Sequence, residues 1–172
     1  MNFDCFAFVD VKDKTLLTRA ATTPMERVLE DLDALHQKED VSGPIFVKRS
    51  YTNAAGDEVA TELYTEAALR TLQDAPEAPL AKVQILHARN PSFFCKAAPG
   101  ETFSARDYVL QAVLLVPKSE SLSRAYRYSQ NIDAAWNPGN RSRSSSVGDI
   151  FVADGEAYMI ANVGYVPVVL GE

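Results

Sequence analysis

Histidine supplies most acid–base chemistry near neutral pH, and the chain has two, His36 and His87. His87 follows Ile85-Leu86 at the end of an apolar stretch, near Arg89 and Asn90, where a catalytic base could stand. No nucleophile lies at a telling spacing from it. His36 ends an acidic helical segment, where a cationic side chain suits the negative end of the helix dipole. Cys5 sits in an apolar strand pattern and reads as an inert buried thiol. Cys95 stands in an irregular segment beside Phe93, Phe94 and Lys96, whose ammonium could lower its pKa. A metal needs ligands at set spacings, and there is no His-x-x-His, His-Glu-x-x-His or Cys-x-x-Cys pattern and no Asp-x-Asp loop. There is also no glycine-rich strand-to-helix turn for a phosphate. No cofactor or metal is therefore expected. A small enzyme using His87 or Cys95 is the third of three functional readings.

Charged and aromatic clusters offer binding chemistry instead. In the run Arg141-Ser-Arg-Ser-Ser-Ser, Arg141 and Arg143 carry planar forks that grip phosphate or carboxylate bidentately. Ser144 and Ser145 can add hydroxyl donors. The plainer alternative is a loop whose serines bond their own backbone. Ser146, Gly148 and Asp149 read as structural, with Gly148 suited to a turn and Asp149 to capping nearby amides. Glu26, Glu30 and Asp33 fall along one helical face, and Asp31, Glu39 and Asp40 lie close by. Such a line of carboxylates can imitate a phosphate backbone in a basic channel, or simply be a solvated face. Phe93-Phe94 is a candidate aromatic anchor for a partner protein.

These groups need elements to hold them. Phe3 to Val11 reads as a first strand. Thr22 or Thr23 is placed to cap a helix with Pro24 at its first position, and Met25, Val28, Leu29, Leu32 and Leu35 recur on its apolar side. Strands are expected at Ile45 to Tyr51 and Val59 to Tyr64 around a hairpin loop at residues 53–57. Thr65 is placed to cap a short helix reaching Leu72. A strand at Lys82 to Ala88 precedes an irregular segment from Asn90 to Thr102. The apolar run within Asp107 to Val116 favours strand through its β-branched content. A helix opening at Ser119 or Ser121 carries Leu122, Ala125 and Tyr126. Ile150 to Val152, Ala157 to Ala161 and Val166 to Leu170 form a closing meander, with Asp154-Gly155 at a hairpin tip. The expected fold is α+β: a mixed or antiparallel sheet with two to three helices, ending in a three-stranded antiparallel meander.

At 172 residues, 47% of them hydrophobic, residues 1–172 suit one compact unit that needs no staples. The prolines and acids between Asp74 and Pro79 mark the one natural boundary. Possible sub-parts are an acidic part, 1–75, and a second part, 81–172. The net charge of −6 is uneven: residues 1–80 hold 15 acids against 8 bases, residues 81–172 hold 8 against 9. That excludes a uniform nucleic-acid footprint. It leaves a local basic patch, since Arg124, Arg127, Arg141 and Arg143 meet only Glu120 and Asp133 over residues 119–146. No apolar run reaches the roughly 20 residues of a membrane helix. The acidic start, Met-Asn-Phe-Asp-Cys, differs from a secretory leader, and a reduced cytoplasmic location is expected.

The order of parts in the second half carries a resemblance. An apolar strand is followed by Leu122-x-x-x-Tyr126, Gln130-Asn131, Pro138, Ser145-Ser-Val-Gly-Asp-Ile, Tyr158 and Gly164-Tyr165. Across about residues 107–169 this resembles the YodL-like domains of phages and conjugative plasmids. The resemblance implies a mobile-element accessory protein in a bacterial cytoplasm. It carries over no catalytic residues. The leading expectation is a non-enzymatic protein that binds and inhibits a host nucleic-acid-directed defence complex, of the anti-CRISPR or antirestriction type. Its partner would be a host protein or ribonucleoprotein complex. The alternative is a nucleic-acid-binding module in element maintenance or transfer, using the basic segment from Arg124 to Arg143.

Overall fold

Apolar residues three and four apart give the first helix its buried stripe. The computed structural model describes residues 2–3, 6–9, 15–19, 23–38, 45–52, 58–75, 77–91, 96–131 and 142–172. In it α1 (Met25–His36) buries Val28, Leu29, Leu32 and Leu35. Pro24, expected at the first helical position after a Thr22 or Thr23 cap, itself holds the N-cap position, with no side-chain cap bond. α2 (Glu66–Asp74) does have the expected cap: the Thr65 hydroxyl accepts from the Ala68 amide at 3.3 Å. That hydroxyl also donates to the Leu115 carbonyl at 2.9 Å, tying the helix start to a distant strand.

The strands are β1 (Asn2–Phe3), β2 (Phe6–Val9), β3 (Thr15–Arg19), β4 (Thr23–Pro24), β5 (Phe46–Thr52), β6 (Glu58–Tyr64), β7 (Leu80–Ala88), β8 (Thr102–Ser104), β9 (Tyr108–Pro117), β10 (Ile150–Ala153), β11 (Glu156–Ile160) and β12 (Tyr165–Gly171). β1 and β4 pair with each other; the rest form a mixed sheet in the order β3-β2-β5-β6-β9-β7-β10-β11-β12-β8. Neighbours run antiparallel except β6 with β9 and β12 with β8. The β6–β9 pair joins strands from the two halves of the chain. β10, β11 and β12 make the expected antiparallel meander. The fold is α+β, with three α-helices among the described residues.

Adjacent residues of a strand face opposite ways, so β5 shows which helix covers which side. Val47 packs with α1 and α2, through Leu29, Leu32 and Leu69. Phe46 packs on the other side with Ala125 and Tyr128 of α3 (Ser121–Tyr128), its ring 6.0 Å from that of Tyr128 and edge-on. α3 therefore lies across the sheet from α1 and α2. It covers Leu63, Val83, Ile85, Leu114 and Phe151. Beyond α1 and α2, the meander's Ile150, Met159 and Val168 are covered by Phe103 and Tyr108. The hairpin between β10 and β11 turns at Asp154 and Gly155, both with positive φ (52° and 86°), the pair that a tight right-twisting hairpin requires.

Candidate functional site

The serine-rich segment entering β10 closes on the end of β7. Ser146 and Asp149 bracket a tight turn in which the Asp149 amide donates to the Ser146 carbonyl at 3.0 Å. Gly148 fills its third position at φ 91°, where a side chain would be strained. This turn aims the Asp149 carboxylate inward, where it is fully buried. Four groups satisfy it. Arg143 donates from both terminal nitrogens, at 2.6 Å to Oδ2 and 2.5 Å to Oδ1. The Ser146 amide donates at 2.8 Å and the Ala88 amide at 2.9 Å. A buried carboxylate is tolerated in the interior only when paired and bonded in this way.

Arg143 also donates to the Ser144 carbonyl and the Ser146 hydroxyl, each at 3.0 Å, with 35% of its side chain exposed. The segment is sewn to the end of α3 as well. The Ser145 amide donates to the Ser129 carbonyl at 2.9 Å, Gln130 Nε2 to the Ser145 carbonyl at 3.1 Å, and the Asn131 amide to Ser144 Oγ at 2.8 Å. Ser142 Oγ donates to Gln111 Oε1 at 2.6 Å. The basic and serine candidates thus serve internal structure: Arg143 is committed to Asp149, Ser145 is buried, and Ser144 caps a neighbouring amide. Arg141, Phe93, Phe94, Cys95 and Cys5 lie outside the described residues.

His87 completes the cluster. Its Nε2 is 3.1 Å from Ser145 Oγ and 3.8 Å from Asp149 Oδ2. Burial pulls its pKa down to about 4, against the opposing pull of the Asp149 charge and with a smaller contribution from Arg143. Histidine, serine and aspartate here do not form a nucleophilic relay. Such a relay engages the serine with one ring nitrogen and the carboxylate with the other, whereas both groups here face Nε2. Ser145 and His87 are also only 2% and 5% exposed, so a substrate has no approach to the hydroxyl. No local spacing links His87 to a nucleophile, because Ser145 is 58 residues away.

The acidic candidates lie where the helical spacing predicts. Glu26, Glu30 and Asp33 are exposed on α1. Glu30 pairs with Arg27 at 3.1 Å and Asp33 with Arg70 of α2 at 2.5 Å. Asp33, bonded to Arg70, raises that guanidinium's pKa, and Glu66 adds to the effect. Asp31, part of the same acidic stretch, is instead buried at 8% exposure beside Arg27. Among the described residues, no three His, Cys, Asp or Glu side chains are grouped to hold a metal ion. No helix among them is long and apolar enough to cross a membrane.

A shallow cleft of about 290 Å³ opens between α3 and the β11–β12 turn, lined by Tyr126, Val147, Ile160, Asn162, Gly164 and Tyr165. Tyr165 is held by a bond from its hydroxyl to the Leu122 carbonyl at 3.0 Å and by packing against the Phe151 ring at 6.2 Å. Tyr126 is 38% exposed. Tyr126, Val147 and Gly164-Tyr165 follow one another in the ordered series of residues 107–169, but nothing in their spacing brings them to one cleft. No protein-family model, curated protein or solved structure matches this chain.

Proposed function

We propose that the chain is a mobile-element accessory protein that binds and inhibits a host nucleic-acid-directed defence complex, without catalysis. The observation that carries this reading is the outward acidic face of α1, where Glu26, Glu30 and Asp33 stand in solvent. Across α1 and α2 six acids, Glu26, Glu30, Asp31, Asp33, Glu66 and Asp74, accompany two arginines, Arg27 and Arg70. A surface of that balance is attracted to the basic channels with which nucleic-acid enzymes hold phosphates. The buried state of the His87–Ser145–Asp149 cluster supports binding over acyl transfer. The order of parts over residues 107–169, with its resemblance to YodL-like domains, supports the phage or plasmid setting and a cytoplasmic site of action.

The test is capture of bacterial lysate proteins on the immobilised chain, with and without nuclease. A stoichiometric nucleic-acid-directed complex that survives nuclease, and is lost with Glu26→Lys, Glu30→Lys and Asp33→Lys combined, is the expected result. Unchanged capture by that triple variant would overturn the acidic-face mechanism.

A further inference from the structure

We infer that the cleft between α3 and the β11–β12 turn is a site for one unpaired base of a single-stranded nucleic acid. Its size comes first. About 290 Å³ is at the small end of ligand clefts, room for one ring system rather than a folded chain. Its chemistry comes second. Tyr126 and Tyr165 supply aromatic faces, Val147 and Ile160 supply aliphatic surface, and Asn162 supplies the one carboxamide among the described lining residues. No charged side chain is among them, so the occupant is a neutral group with a flat face and a hydrogen-bonding edge. A nucleobase has both, and stacking on aromatic side chains tolerates any base.

The open side of the cleft faces solvent, so the ring can belong to a longer chain, and the charges on α3 bear on which kind. Arg127 follows Tyr126 on α3, is exposed, and has no ion pair among the described residues. Arg124 lies on the same helix, paired with Glu120 at 2.8 Å. Most acids of α1 and α2 lie across the sheet; Glu66 stands nearer α3, next to Ala67, whose amide bonds the Tyr128 hydroxyl at 3.3 Å. At the turn, Gly164 has a φ of 70° and open space where a Cβ would stand, so the rim admits a backbone closely. Tyr165 is fixed in place by Leu122 and Phe151, whereas the more exposed Tyr126 can adjust to the incoming ring.

The experiment is a fluorescence-anisotropy titration of the full chain with labelled, unstructured 12-nucleotide DNA and RNA oligomers, and with the matching DNA duplex. Single strands, of DNA, RNA or both, are expected to bind more tightly than duplex. Tyr126→Ala should weaken single-strand binding about tenfold or more, and Tyr126→Phe should retain it. Arg127→Ala should weaken binding and reduce the dependence of log affinity on log salt by about 0.7. Thermal melts establish that each variant is folded; Tyr126 and Arg127 are exposed, so little change is expected. No single-strand binding at low salt would overturn the inference, as it would if the cleft took an aromatic side chain of a protein. Equal binding by Tyr126→Ala and the parent, or preference for duplex, would also overturn it.

Discussion

On α1, the carboxylates of Glu30 and Asp33 stand in solvent, opposite arginines that are themselves about half or more than a third exposed. At the entrance to β10, Asp149 is wholly buried and four donors converge on it. Both regions pair acid with arginine, yet the energetics differ in kind. Exposed pairs are screened by water and give about 0–1 kcal/mol. A buried carboxylate loses its hydration and depends on every partner it has. The first region can change its charge while the fold persists, and the second cannot. The charge of α1 is open to change, whereas the Arg143–Asp149 cluster joins α3, β7 and β10 into one piece.

The largest effect is expected from Asp149→Ala. It strands the Arg143 guanidinium and the amides of Ala88 and Ser146, and should cost about 3–5 kcal/mol in chemical denaturation. Loss below about 1 kcal/mol would mean that water replaces the carboxylate, and the contrast between the regions would fail. Arg143→Ala should cost less, about 2–3 kcal/mol, because two backbone amides still hold the Asp149 carboxylate. The double variant should cost clearly less than the sum of the two, as one network is removed twice.

His87 extends the comparison to pH. Its folded pKa, about 4, lies below the usual 6.5 because burial disfavours the charged ring. The unfolded chain therefore binds more protons between those values. The stability that neutral His87 contributes is full above about pH 6.5, and is lost as pH falls towards 4. His87→Gln should flatten this part of the stability–pH curve, measured by urea unfolding from pH 7.5 to 4. An unchanged slope would place the acid sensitivity elsewhere. Thr65→Ala, which removes both the helix cap and the bond to Leu115, should cost about 1–2 kcal/mol in the same assay at neutral pH.

Local pattern made much of this fold legible. The stripe from Val28 to Leu35, the Thr65 cap, the Asp154-Gly155 hairpin and the closing meander all rest on spacings of a few residues. Steric and hydrogen-bonding rules act directly at that range. The insertion of β9 between β6 and β7 was not legible, because a strand's choice of neighbour depends on distant chain. The parallel pairing of short β8 with β12 was hidden for the same reason. The serine run shows the limit most clearly. Its composition fitted both a phosphate grip and a self-satisfied loop. Only the arrival of Ala88 and His87 from β7 shows Arg143 bonded inward. Asp31 teaches the same lesson in small: it stands close to the surface acids in the chain, but its spacing from Val28 and Leu35 puts it on the buried side, beside Arg27.

The smallest change in stability is expected where the change in formal charge is greatest. Converting Glu26, Glu30 and Asp33 to lysine alters the charge of α1 by six units, yet all three side chains are exposed. Substitutions at such positions usually fall within about 0.5 kcal/mol each. Asp33→Lys also sets a lysine opposite Arg70, so it should be the costliest of the three while remaining far below Asp149→Ala. Thermal melts of the triple and single variants at two salt concentrations check this. Any loss should shrink at high salt, because the charges involved lie in solvent. A triple variant that unfolds outright would show that the acids of α1 hold the helix to α2. A folded triple variant that no longer engages its target would instead separate the two duties cleanly, with binding assigned to α1 and cohesion to the Asp149 cluster.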